Sequence, residues 1–231
     1  MTGTVLYEVS NGVARITLKR PPVNALNLEM IKGVVTALEN AAKDEEARAV
    51  VLTSAPNRFC AGLDLKIMLG KSEEKARNLL KELYVHLHDA QYNLGKPSIA
   101  AVSGAARGGG MTIAISCDVI ISGESATFGY PEINVGVIPA IHYAHLPRIV
   151  GRHRAFELLF TGRSFSAEEA YRLGLLSRIV SDAEVDSAAL ALAATFAAKS
   201  PVVMRLGRAA FMRQNDLDYR RSIANAVEDF L

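Results

Sequence analysis

The chain has no tryptophan, only two cysteines in 231 residues, and no surplus of either charge. Its 26 Lys and Arg nearly balance 24 Asp and Glu, for a formal net charge of +2. Each scarcity excludes something. Without a basic block there is no electrostatic footprint for nucleic acid. Cys60 and Cys117 cannot build a disulfide framework and lack zinc-ligand spacing, so the reading is a cytoplasmic, reduced protein with no metal site. No apolar run approaches the ~18–20 residues of a membrane span, and Met1-Thr-Gly-Thr-Val-Leu-Tyr-Glu has no signal-peptide pattern, so no membrane partner is expected. Half the residues are hydrophobic and 22% charged, enough for one large α/β domain with a buried core.

Residues 5–9 and 13–18 alternate in polarity around Asn11-Gly12, a two-residue hairpin signal. After Arg20-Pro21-Pro22 the period changes: Leu28, Ile31, Val34, Val35, Leu38 and Ala42 recur at helical spacing, with Asn27 as N-cap. Strands are predicted at 49–52, 98–103 and 119–121, and helices at 73–92 and 111–116. That alternation implies crossover connections and a largely parallel sheet. From Pro139 onward the pattern is helical (168–173, 188–199, 202–213, 217–230), with one strand-like run at 177–180.

The most informative stretch is Ser98-Ile-Ala-Ala-Val-Ser-Gly-Ala-Ala-Arg-Gly-Gly-Gly-Met-Thr-Ile-Ala. A strand ends at Gly104, passes Gly108, Gly109 and Gly110, and continues as a helix. Such a turn leaves backbone N–H groups unpaired at a helix N-terminus, where negative charge is held. Missing Cβ atoms let a ligand approach closely. Two further segments accompany it: Asn57-Arg-Phe-Cys-Ala-Gly-Leu-Asp-Leu-Lys66 and Thr127-Phe-Gly-Tyr-Pro-Glu-Ile-Asn-Val-Gly-Val-Ile-Pro139. In this order and spacing the three resemble the crotonase (enoyl-CoA hydratase/isomerase) superfamily. The resemblance runs from Asn24-Ala-Leu-Asn27 through Thr161-Gly-Arg to Ala170 and Gly174-Leu-Leu.

The resemblance implies an α/β fold: a crotonase-like ββα spiral core over 1–185 and a C-terminal helical trimerisation region over 186–231. The chain stops at Phe230-Leu231, short of a segment that in the family covers the site or packs a neighbouring subunit. The implied substrate is an acyl group carried as a coenzyme A thioester, with no permanently bound cofactor, and the implied assembly is a homotrimer or dimer of trimers. Chemistry at the α-carbon of a thioester turns its carbonyl oxygen into an enolate oxygen, and losing one N–H donor to such an oxygen costs ~3 kcal/mol. The resemblance assigns those donors to Ala61 and Gly109. It adds Gly62, Leu63, Asp64, Gly108, Thr112 and Tyr130 as substrate-binding residues, with backbone around 61–64 holding the adenine end.

Glu132 follows Pro131 and is surrounded in sequence by Phe128, Tyr130, Ile133, Val135 and Val137. Desolvation by such neighbours raises a carboxyl pKa towards neutrality, which suits a group that takes and returns a proton. The family's matching glutamate is a catalytic acid/base. Family hydratases carry a second glutamate two residues after the glycine triplet, where this chain has Thr112, and a hydroxyl is a poor base. Moving a double bond from C3–C4 to C2–C3 needs one base only. The pattern therefore resembles Δ3,Δ2-enoyl-CoA isomerases. The alternatives are a hydratase or hydratase/lyase, including on aromatic acyl-CoA, and a non-catalytic acyl-CoA-binding subunit. Ala140 stands where dienoyl-CoA isomerases and aryl-CoA dehalogenases carry an aspartate, which removes support for those activities.

His142-Tyr143 replaces a Gly-Gly pair common in hydratases. Packing against a neighbouring helix is the expectation, and presenting a polar group to substrate the alternative. His86 and His88 should face different directions, and His142 and His145 should share a face without forming a metal site. Residues 71–81 read as a solvated helix face. Arg20 and Lys66 either meet coenzyme A phosphates or simply lie at the surface.

Overall fold

The structure, a computed structural model, describes residues 3–55, 58–68 and 73–216. β1 (Val5–Ser10) and β2 (Val13–Leu18) form the expected antiparallel hairpin. Asn11 and Gly12 sit at φ 52° and 78°, the left-handed pair that a tight hairpin with matching strand twist requires. α1 (Leu28–Lys43) starts where Asn27 accepts the Met30 amide at 2.8 Å. β3 (Ala49–Ser54) follows. Next come α2 (Leu65–Met68), α3 (Glu73–Lys81), a π-helical turn at Glu82–His86 and α4 (Leu87–Tyr92).

The remaining elements are β4 (Ser98–Val102), β5 (Ala105–Arg107), α5 (Gly109–Ser116), β6 (Val119–Gly123), β7 (Thr127–Gly129) and a 3₁₀ turn at Pro131–Val135. Then follow α6 (Ala140–Val150), α7 (Arg152–Thr161), β8 (Ser164–Ser166), α8 (Ala167–Arg172), β9 (Arg178–Val180), α9 (Val185–Ala197) and α10 (Pro201–Asn215). The main sheet has the order β1-β2-β3-β4-β6-β9 and is parallel beyond the first pair.

Period-2 alternation divides the strands between two cores. Ala14, Ile16, Val50, Leu52, Ala100 and Val102 join Ile31, Val34 and Leu38 of α1. Val13, Ala49, Val51, Ile99, Ala101 and Ile121 meet Val185, Ala189 and Ala193 of α9. α9 is thus packed onto the sheet from its first turn. α10 is pinned by Arg208, buried and bonded to Asp118 at 2.8 Å and to the Gln91 and Tyr92 carbonyls.

Two expectations need correction. The segment between β4 and α5 is not a simple turn: it contains β5, which pairs with β7 and β8 in a second sheet. These three-residue strands are too short to show a period, and pairing alone creates them. For the same reason the region after Pro139 is not helical throughout, since β8 interrupts it. The helix expected over 217–230 lies outside the described residues. Among those residues, no single helix is long and apolar enough to cross a membrane.

Candidate active site

Backbone pairing joins the two glycine-bearing loops. The Cys60 amide donates to Ala105, and the Arg107 amide to Cys60, at 3.0 and 2.9 Å. Asn24 anchors the same loop from below: buried at φ 52°, its amide donates to the Arg58 and Phe59 carbonyls. Close approach then demands glycine. A Cβ on Gly110 would lie 2.4 Å from the Cys60 carbonyl oxygen, and one on Gly62 2.9 Å from that of Arg107.

The donor assignment changes in one position. The Ala61 amide is not free, because it donates to the Val23 carbonyl at 3.0 Å. Leu63 takes its place. The Leu26 amide donates to Gly62, and the Asp64 amide to Leu26, around a parallel bridge between Leu26 and Leu63. Alternation along that extended segment turns the Leu63 N–H to the opposite side, where among the described residues it has no acceptor. Gly109 is the first residue of α5 and its N–H is likewise unpaired, as helix geometry dictates. The two approach closely: a Cβ on Gly109 would stand 3.6 Å from the Leu63 nitrogen.

A cavity of about 200 Å³ opens beside these amides. It is walled by Ala61, Gly62, Leu63, Gly108, Gly109 and Glu132, with Leu80, Leu83, Tyr84, Val135, Val137, Ile138 and Ala140 among its apolar-rich remainder. Among the described residues, Glu132 is the one carboxylate in that wall. It rides on the 3₁₀ turn, and Gly108 (φ 46°) lets it come close, since a Cβ there would stand 2.7 Å from Oε1. Its Oε2 is buried and has no hydrogen-bond partner among the described residues, a cost for which a catalytic role is one explanation. The apolar surroundings expected of Glu132 are only half present: Phe128 and Tyr130 are buried, whereas Ile133, Val135 and Val137 are exposed.

Three predicted substrate residues lie elsewhere. Tyr130 is a core side chain at 0% exposure, its ring tilted against those of His142 and Phe165. Thr112 is fully buried inside α5, outside the cavity wall. Asp64 pairs with Arg20 at 2.9 Å, and Arg20 also donates to Ala25. Arg20 is therefore a strap between loops, whereas Lys66 is exposed.

Tyr84 escaped the sequence reading as a site residue, and His142 entered it only as the alternative to helix packing. Leu80, Leu83 and Tyr84 share one helical face, a signal present but not distinctive. Burial, then the charge of Glu132, pushes the Tyr84 phenol up to about 12, so it remains a protonated donor. His142 Nε2 stands 3.3 Å from Glu132 Oε1. Tyr143 packs as expected on the neighbouring helix, stacked on Phe160 at 5.9 Å. Cys60 is inert: burial raises its thiol to about 12, and it donates to the Asn24 carbonyl. Among the described residues, no cluster of three or more His, Cys, Asp or Glu has the geometry of a metal site.

Comparison with known proteins gives concordant results. The family model for enoyl-CoA hydratase/isomerase matches residues 8–229. A probable enoyl-CoA hydratase of Bacillus subtilis is 38% identical over 199 residues, covering 85% of this chain and 77% of that protein. A short-chain-enoyl-CoA hydratase of Clostridium acetobutylicum is 34% identical over 98% of this chain and 87% of its own length. The crystal structure of an enoyl-CoA hydratase from Mycobacterium smegmatis superposes with a TM-score of 0.92 at 34% identity, over 99% of this chain and 90% of that one.

Proposed function

Because this chain belongs to the enoyl-CoA hydratase/isomerase (crotonase) family, we propose that it isomerises an enoyl-CoA, moving the double bond from C3–C4 to C2–C3. The observation that carries this reading is that Glu132 is the single carboxylate of the cavity wall among the described residues, while the position matching the family hydratases' second glutamate is the buried Thr112. The thioester oxygen is held by the Leu63 and Gly109 amides. Glu132 removes a C2 proton, and the electron pair shifts onto that oxygen as the enolate forms. The same carboxyl returns the proton at C4 as the double bond settles between C2 and C3. Donors already fixed in place need no reorganisation when the charge develops.

The substrate brings its own coenzyme A, and the chemistry requires no resident cofactor or metal. The free, buried thiols of Cys60 and Cys117 support a cytoplasmic setting. The names of the hydratase relatives favour a second reading, hydration of a 2-enoyl-CoA with Glu132 alone handling the water.

Purified protein should convert 3-enoyl-CoA esters to 2-enoyl-CoA. Glu132→Gln should lower turnover by about 100- to 10,000-fold while still binding the ester. A Gln variant at wild-type rate would refute Glu132 as the base. Loss of conjugated absorbance from crotonyl-CoA without isomerisation would replace the first reading by the second. Binding without any turnover would leave only an acyl-CoA-binding role.

A further inference from the structure

Behind Glu132 lies a run of histidines, His142 buried and His145 and His88 half-buried, that the reaction above does not use. His142, in the first turn of α6, is 1% exposed and places Nε2 3.3 Å from Glu132 Oε1. Its Nδ1 lies 3.0 Å from Nε2 of His145, one helical turn on. His88, from α4, approaches the same group, and its Nδ1 contacts the Tyr84 carbonyl at 2.8 Å. Tyr130 packs its ring against His142 at 4.5 Å. The titratable groups around His142 are therefore Glu132, Tyr130, His145 and His88, with Tyr84 beyond them. His142 is not in the cavity wall, so it cannot replace the missing second carboxylate by touching substrate. What it can reach is the base.

We propose that His142 is a positioning residue for Glu132: its Nε2–H holds Oε1, and His145 at Nδ1 keeps the ring in that orientation. A carboxylate on a short 3₁₀ turn has several rotamers, and a buried donor on one oxygen selects the one lying against Gly108. The 3.3 Å separation is an ion-pair distance just beyond that of a formed N–H···O bond, so the proposal requires the contact to tighten when substrate fills the site, as catalytic hydrogen bonds often do. This proposal rests on Glu132 being the base.

His142→Phe keeps the ring volume and removes the donor, whereas His142→Gln restores an N–H near the same place. The Phe variant should lose about 10- to 100-fold in kcat with KM nearly unchanged. The acidic limb of its pH–rate profile should move to higher pH, because the charged carboxylate has lost a donor. The Gln variant should recover most of the rate and the original limb. Equal losses in both variants with an unmoved limb would reduce His142 to packing and overturn the proposal. Imidazole ¹⁵N spectra of the free protein supply a readout independent of turnover: Nε2 of His142 should carry hydrogen, and a bare Nε2 overturns the proposal outright. Full activity in Glu132→Gln would instead sink the assignment of the base, while the spectrum still reports on the hydrogen bond.

Discussion

At the scale of single residues, the site depends on side chains that are missing as much as on those present. Gly108 combines a φ of 46° with a Cβ direction that ends 2.7 Å from Glu132 Oε1. Gly136 has a comparable φ of 73° but nothing within 4 Å of where a Cβ would go. Gly108→Ala and Gly136→Ala should therefore both cost about 1–3 kcal/mol of stability through backbone strain, read as a shift in denaturation midpoint. Only Gly108→Ala should also abolish most turnover, by displacing the carboxylate. Equal activity in the two variants would show that Glu132 has no need of that gap. Ala61 and Leu63 carry a related lesson. The motif located the loop to within two residues, but which amide was free depended on Val23 and Leu26, distant partners that no local pattern names.

At the scale of elements, α6 and α4 bring His142, His145 and His88 together, and this should tie stability to pH. Burial, followed by the neighbouring His142 and His88, depresses His145 to about 3, against about 6.5 for a free imidazole. Between these values the unfolded chain binds more protons than the folded one. Stability is therefore fully present above about pH 6.5 and falls as the pH drops towards 3. His88 is lowered in the same sense, first by burial. Urea melts at pH 7 and pH 5 should show this loss, and His145→Gln should reduce it. A wild type equally stable at both pH values would contradict a half-buried, neutral His145 imidazole. α1 was legible in the sequence because it carries its own period and its own cap, Asn27. The second sheet was not, since β5, β7 and β8 have three residues each and exist only through one another.

At the scale of the whole molecule, the described residues leave apolar side chains exposed. Phe156 and Phe160 of α7 are 61% and 46% exposed and stack at 4.2 Å, with Tyr143 of α6 continuing the row. Val202, Val203, Leu206 and Phe211 line α10 in the same exposed way. Contiguous exposed apolar patches mark association surfaces, and we propose that copies of this chain meet there in a trimer or pair of trimers. Sedimentation velocity should give a mass of three or six times 24.9 kDa, and Phe156→Glu should lower it. A wild type sedimenting as a monomer would remove this proposal.

Periodicity, capping and turn chemistry are local properties, so the hairpin, the main helices, the parallel sheet and the three co-ordered motifs could all be read along the chain. The family followed from those motifs, and so did the loops that border the cavity. Three features arose only on folding: the burial of Tyr130 and Thr112, the exchange of Ala61 for Leu63 as a free donor, and the meeting of His142 with Glu132. Each depends on which distant backbone carbonyl or side chain arrives alongside, and that is decided by how the sheet, the crossing loops and α6 pack together.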